Sequence, residues 1–475
     1  MATKIGDHAV VLGGSIGGML AARVLADAYH RVTVVDRDDV AAVGPQLRPA
    51  ISWAGHIHAL LERGRQIISE LFPTFVDDMI ALGVPVGDYG STCHYYFNGR
   101  MFAVTDTGMA CVAANRPVIE DYLRSRTSAR PEVVVRGRTD IVGLTASADR
   151  SRITGVRVQA RDGEPGAGQE EAIEADLVVD ATGRASRTPR WLEEFGYTRA
   201  PEEKVHMDLT YTTMDFLGPL PYDPLGEDIA LVPTATPAFP RGGIFARLAD
   251  RYALTLTGIN GDRAPTDREG FLAYAKTLPE PAIYEAIRDA EQRGPATSFR
   301  FPASIRRRYE QLRRFPAGYL VIGDAACVFN PVYAQGMTVA AMGADVLAKQ
   351  LARGVEPTPG AYFRDLAKAT DSPWMMSAAA DLGYPQVRGR RTVATRLGNG
   401  YMSRVMAAAA TDPEVARGFM RTISLIDPPQ ALMKPAMLKR VLLGTGAGKP
   451  TTLADLHRSR STPPAPTVAD PRHPR

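Results

Sequence analysis

The stretch from His8 to Asp36 restricts the fold more than any other part of this sequence. Residues 8–12 (His-Ala-Val-Val-Leu) form a short apolar run suited to a strand buried on both faces. A glycine-rich turn follows at Gly13-Gly14-Ser15-Ile16-Gly17-Gly18, then a helical stretch to about Tyr29 and a second strand at 31–35 that ends on Asp36. Strand, tight turn, helix and strand make a βαβ unit, whose strands lie parallel in one sheet. Such a turn lets backbone N–H groups and the positive end of a helix approach a diphosphate. Gly13 permits the sharp turn and Gly18 permits close packing of helix on strand. Ser15 stands where the G-x-G-x-x-G fingerprint has its middle glycine, but serine is small and can itself donate to phosphate. Asp36, 23 residues beyond Gly13 and followed by Arg37, sits where a carboxylate accepts from ribose hydroxyls. The unit predicts a dinucleotide site and does not separate NAD from FAD.

The rest of the chain divides by pattern. Residues 132–136 and 318–322 repeat the buried-strand signature, and 153–158 with 172–179 read as arms of a hairpin around the Gly/Pro-rich turn 161–168. Between 205 and 211, and again at 252–256, apolar residues alternate with polar ones, which predicts an antiparallel sheet with one wet face. A long helix is expected from about Gly336 to Ala352, an Ala/Met-rich helical region beyond 370, and an unstructured Pro/Ser/Thr/Arg-rich tail from about 446. At 475 residues the chain has room for two or three cores. The expected class is α/β: a Rossmann-like dinucleotide domain assembled from 1–75, 111–200 and 299–370, an α+β substrate domain from 76–110 and 201–298, a helical region at 371–445, and a tail at 446–475. With 45% apolar and 23% charged residues, a mostly disordered chain is excluded. A net charge of +4 gives no electrostatic case for nucleic acid. The basic run at 306–314 reads as a solvated helical face with Glu310 among the arginines. Cys93, Cys111 and Cys327 form no CxxC pair, so neither a disulfide scaffold nor a structural zinc site is expected. No apolar run reaches the ~20 residues that span a bilayer, and glycines break the N-terminal run, which is read as fold and not as a signal peptide. The expected compartment is the cytoplasm.

A second motif decides the cofactor. Residues 318–343 read GYLVIGDAACVFNPVYAQGMTVAAMG: a buried strand ending in Gly323-Asp324, a loop with Pro331, and a helix opening near Gly336. Together with the early turn, this resembles the flavin monooxygenases of the para-hydroxybenzoate hydroxylase type. The resemblance implies FAD, with Asp324 on the ribityl chain. It also implies that Pro331, Ala334, Gln335, Gly336 and Met337 bring a helix N-terminus to the flavin N1 and C2 carbonyl. A helix N-terminus stabilises an anion by up to about 2 kcal/mol, and reduced flavin is anionic there. By the same resemblance Arg48 and His58 lie near the flavin, Arg116 contacts cofactor, Asp180-Ala-Thr-Gly183 ends another strand of that domain, and Ile141 meets the adenine through its backbone. His58 also reads as a merely packed histidine.

The run 304–316 with Asn330-Pro-Val-Tyr-Ala-Gln-Gly-Met-Thr338 is similar to the flavin epoxidases of polyether polyketide pathways, of the lasalocid and monensin type. Ala334 stands where such relatives often have glycine. This narrower resemblance implies epoxidation of alkenes in a linear polyketide, with a flavin C4a-hydroperoxide as oxidant, O2 as co-substrate and no catalytic side chain. NADH or NADPH is the ultimate electron source, directly or through a separate flavin reductase. Met207, Tyr211, Phe245, Leu254 and Leu256 are candidates for one apolar face of the substrate pocket, though most such residues are simply core. An aromatic hydroxylase and a geranylgeranyl-reductase-like alkene reductase remain alternatives. A halogenase is disfavoured: no lysine lies between Lys4 and Lys204, and Trp53, Trp191 and Trp374 are isolated.

Overall fold

The computed structural model describes residues 4–40, 44–45, 47–161, 164, 167–444 and 452–461. Five parallel strands form its first sheet: β1 (Gly6–Leu12), β2 (Tyr29–Val35), β3 (Val133–Arg136), β4 (Leu177–Asp180) and β5 (Tyr319–Val321), in the order β5-β4-β1-β2-β3. Ala9 to Leu12 of β1 and all of β5 are fully buried, which is why both read as unbroken apolar runs. Helices α1 (Ile16–Ala28), α2 (Arg116–Ser128) and α3 (Gln335–Leu351) cover this sheet, with α1 packed on both of the others. A three-stranded antiparallel sheet (Thr139–Ala146, Ile153–Ala160, Glu170–Glu174) shares the same core through Leu144, Ile153, Val156 and Val158.

The single hairpin arm expected at 172–179 is two strands. Glu170–Glu174 pairs with Ile153–Ala160, and Leu177–Asp180 joins the parallel sheet between β1 and β5. The chain changes sheets at Asp176, whose Oδ2 accepts the backbone N–H groups of Asp7 and His8 at 2.7 and 3.0 Å.

The second large sheet has eight strands, dominated by Glu202–Phe216 paired antiparallel with Gln292–Arg307. The expected alternation holds from Val205 to Leu209, but from Thr210 to Met214 both faces are buried. One face looks into a cavity; helices Arg268–Ala275 and Pro281–Ile287 close the other. The basic run is also different from expectation. Arg306 and Arg307 end a strand, are buried, and hold Asp371 at 2.6 Å and the Ala325 carbonyl at 2.9 Å.

Helix Pro359–Asp381 runs through position 370 without a break. With Val393–Ala409, Pro413–Ile423 and Pro435–Leu443 it packs against the second sheet and its edge strands. Within the expected tail, Leu453–Ser461 is a helix, because Leu453 and Leu456 find apolar surface to bury; 446–451 and 462–475 lie outside the described residues. Among the described residues no helix is long and apolar enough to cross a membrane, and no cluster of His, Cys, Asp and Glu is placed to hold a metal ion. Cys93 and Cys111, distant in sequence, are free thiols 3.6 Å apart.

Candidate functional site

The early turn is built by backbone contact. Gly13 has φ +96°, and a Cβ there would lie 2.7 Å from the Ala181 carbonyl oxygen. A Cβ on Gly18 would lie 1.8 Å from the Gly13 carbonyl oxygen, so helix α1 can approach β1 this closely only with glycine. Ser15 precedes α1 without capping it, and the first turn (Ile16, Gly17, Gly18) carries no acid, which leaves its N–H groups without side-chain partners. Asp36 is committed inside the turn: Oδ2 accepts Gly14 N–H and Arg48 Nη2, each at 2.6 Å, and Oδ1 accepts Asp38 N–H at 2.8 Å. A carboxylate has about four acceptor positions, so these three bonds leave one of them open.

Arg48 is 6% exposed and lies between Asp36, Asp38 and, at 3.5 Å, Glu120. Burial opposes its charge, but these carboxylates outweigh burial and hold its pKa above the usual value. Arg116 donates to Ser15 Oγ at 2.9 Å and to Glu120 Oε1 at 2.8 Å, while Ser15 Oγ donates to the same Glu120 oxygen at 2.6 Å. Burial pushes the Glu120 carboxyl up; Arg116, Ser15 and Arg48 overcome it and keep the group ionised. Asp38 and Glu120 were missed by sequence reasoning, although Glu120 lies one helical turn from Arg116 and so shares its face. Arg37 is exposed, and the Ile141 carbonyl accepts a long bond from Arg187 at 3.4 Å. Asp180 is a structural pin, with hydroxyls of Thr182, Ser186 and Thr188 all within 2.6 Å of its carboxylate.

The late loop meets this turn from the other side. A Cβ on Gly17 would touch Ala340 of α3 at 3.5 Å, and one on Gly183 would lie 4.0 Å from Asp324. Asp324 accepts no hydrogen bond from any described residue; burial raises its pKa, offset in part by Arg116, Arg184 and Arg307. Beyond it Ala334 adopts the left-handed conformation (φ 55°, ψ 21°) that favours glycine. Helix α3 then starts at Gln335 with no capping side chain and no acid in its first turn, and Gln335 Oε1 is buried without a partner. The loop is fastened from behind by Asp381, whose Oδ1 accepts Asn330 Nδ2 at 2.8 Å and the Tyr333 hydroxyl at 2.7 Å. Burial moves the Asp381 carboxyl up to about 7, with those two bonds acting the other way.

Between loop and second sheet lies a cavity of ≈ 300 Å³. His58, Arg116, Asp324, Pro331, Ala334, Gly336 and Met337 line one side, and Met207 and Tyr211 the opposite wall. Phe245, Leu254 and Leu256 do not line it. They point to the other face of the sheet and pack beneath Phe271 and Ile283. Side chains alternate along a strand, so the cavity receives Ile244, Thr255 and Thr257 instead. Trp53, His56, Arg184, Phe299, Phe301 and Tyr384 also line the wall; His56 adjoins the expected His58 and Arg184 the expected Asp180–Gly183 turn, whereas no local motif marks the other four, which meet only in the folded chain. His56 Nδ1 lies 2.7 Å from Thr213 Oγ1, and His58 Nδ1 lies 2.8 Å from the His56 carbonyl oxygen. Burial lowers the pKa of His56 to about 4; burial, and then the Arg116 charge, lower that of His58 to about 3.

No family model matches the chain. Its fold is that of flavin-dependent monooxygenases and halogenases. A flavoprotein/dehydrogenase from Cytophaga hutchinsonii aligns over 92% of this chain and 99% of its own, with TM-score 0.65 and 15% identity. PqsL, a probable FAD-dependent monooxygenase from Pseudomonas aeruginosa, aligns over 79% and 94%, with TM-score 0.57 and 16% identity. The flavin-dependent brominase Bmp2 shares the fold as well. In sequence, the chain is 33% identical over 436 residues to protein Rv3254 of Mycobacterium tuberculosis, covering 89% of this chain and 90% of that one. The chain belongs to the family of Rv3254.

Proposed function

We propose that this protein is an FAD-dependent monooxygenase that epoxidises alkenes of a linear polyene polyketide, in the assembly of polyether antibiotics. The observation that carries the reading is the uncapped N-terminus of α3 and one unpartnered carboxylate, Asp324, on a cavity whose far wall is apolar and aromatic, with the uncapped N-terminus of α1 packed against α3 behind them. These residues fit FAD. The N–H groups at Ile16–Gly18, with Ser15 and Arg116, would hold the diphosphate, with Arg48 fixing the turn through Asp36. Asp324 would accept from ribityl hydroxyls, and the α3 N-terminus at Gly336 and Met337 would face the pyrimidine edge. Bound FAD supplies the redox chemistry that activates O2, with electrons from NADH or NADPH directly or through a flavin reductase. The chain's own residues orient the alkene and exclude water: Met207, Leu209, Tyr211, Ile244 and Phe299 present apolar surface to it.

Among the described residues, the charged groups in the cavity wall are Arg116, Arg184 and Asp324, and no lysine lines it. That favours an uncharged substrate. The aromatic patch of Trp53, Phe299 and Phe301 also suits a flat ring, so aromatic hydroxylation is the second reading. Mass spectrometry with labelled O2 and a polyene polyketide tests the proposal. Label gained as epoxide oxygen supports it. Label from water refutes it, alkene saturation points to a reductase, and labelled phenol from an aromatic substrate alone points to the second reading.

A further inference from the structure

Two histidines two residues apart line the cavity, and their hydrogen bonds fix which nitrogen of each carries the proton. His58 Nδ1 faces the His56 carbonyl oxygen at 2.8 Å. A carbonyl only accepts, so Nδ1 is the protonated nitrogen, and His58 Nε2 presents a lone pair. His56 is set by a longer chain. Ile57 N–H donates to Thr255 Oγ1 at 3.3 Å, Thr255 Oγ1 lies 2.6 Å from Thr213 Oγ1, and Thr213 Oγ1 lies 2.7 Å from His56 Nδ1. If the hydroxyl protons run from Thr255 to Thr213 to His56, each has an acceptor. In the reverse direction the Thr255 proton has no acceptor among the described residues. His56 Nδ1 is therefore the acceptor, and its proton sits on Nε2. Neither Nε2 has a protein partner among the described residues, and neither is among the sealed, unpartnered polar atoms of the interior, so both are open to the cavity.

We infer that His56 and His58 form a specificity-determining pair of opposite tautomers, a donor beside an acceptor, that binds an uncharged oxygenated ligand carrying an acceptor next to a donor, such as a hydroxy-ketone. The inference rests on the reading of this cavity as the substrate site beside FAD. It adds a polar anchor to a wall that otherwise offers mainly apolar contact, and such an anchor would set which carbon–carbon bond of a long chain lies over the flavin. The lowered pKa of both rings keeps them neutral, which preserves one donor and one acceptor near neutral pH.

Two experiments on the FAD-loaded full chain test it. In protein labelled with nitrogen-15 at histidine, the proton-coupled ring-nitrogen spectrum reads the tautomer directly, with His56→Gln and His58→Gln assigning the signals. The expected result is Nε2–H for His56 and Nδ1–H for His58, and Thr213→Val should scramble the His56 signal alone; like tautomers overturn the inference. Binding of three probes, read by perturbation of the flavin spectrum, tests recognition. A long-chain methyl ketone should bind His56→Phe about five- to tenfold more weakly, the size of one lost hydrogen bond, and His58→Phe unchanged. A long-chain primary amide should lose affinity in both variants, an alkane in neither, and His56→Gln should restore the ketone. Equal losses for ketone and alkane overturn the pair. A protein that binds no flavin at all fails the functional proposal instead, which separates the two outcomes.

Discussion

The two sheets that flank the candidate site are specified in different ways. At the parallel sheet the constraint is backbone against backbone: Gly18 sits where a single carbon would fall 1.8 Å from a carbonyl oxygen, and Gly13 closes on the Ala181 carbonyl. At the antiparallel sheet the backbone is ordinary, and the constraint is which side of the strand each side chain takes. Thr255 and Thr257 look into the cavity while Leu254 and Leu256, one step away, hold up helices Arg268–Ala275 and Pro281–Ile287. The parallel-sheet side thus admits almost no change in shape, whereas the antiparallel-sheet side can change the lining of the cavity without disturbing its core.

The sharpest way to break that contrast is Gly18→Ala. No side-chain rotation moves the Gly13 carbonyl, so the cost should reach about 3 kcal/mol or more, the upper range of overpacking. Thermal unfolding and retained flavin both read it; a native melting temperature would remove the steric account. Next in size, Leu254→Ala should cost about 2–5 kcal/mol as a core cavity while leaving substrate binding near the wild-type value. Thr257→Val, at a hydroxyl that faces the cavity with no partner among the described residues, should do the reverse, changing ligand affinity with little loss of stability. Denaturant midpoints set beside probe titrations check the pair.

A third effect depends on pH. The carboxyl of Asp381 titrates at about 7 in the folded chain against 3.8 unfolded, so its neutral form stabilises the fold at low pH and that contribution is lost as pH rises toward 7. Asp381→Asn mimics the neutral form. Its stability relative to wild type should therefore improve by about 2–3 kcal/mol between about pH 5 and about pH 8. His56 and His58, neutral in the fold, lose their contribution in the other direction, as pH falls below 6.5. They act equally in both proteins, so the difference isolates Asp381. A flat difference would contradict the burial of that carboxyl. The smallest effect is Ala334→Gly, which should raise stability by about 1 kcal/mol by relieving the left-handed alanine.

The same contrast explains what could be read from the sequence. The βαβ unit, the strand at 319–321 and helix α3 were legible because a doubly buried strand, a glycine turn and a helix follow one another locally, each with its own signature. Glu120 and Asp38 were hidden because their role depends on Arg48 and Arg116 arriving from elsewhere in the chain. In the second sheet the alternation showed a strand but not its orientation. Phe245, Leu254 and Leu256 are as apolar as Met207 and Tyr211, and only the fold tells which face meets helices. Arg306 and Arg307 misled for a related reason: a charged run reads as solvated until its partners, Asp371 and the Ala325 carbonyl, come from distant segments.

The central claim is that Asp324 and two helix N-termini grip one flavin, and the flavin content of purified Asp324→Ala beside wild type tests it most directly. Wild type should carry stoichiometric FAD through gel filtration. The variant, with the same circular dichroism, should lose most of it, because a charge-assisted hydrogen bond of about 1.5–3 kcal/mol corresponds to a tenfold or greater fall in affinity. A variant that keeps its full complement of FAD, or a wild type that never binds it, would contradict the account.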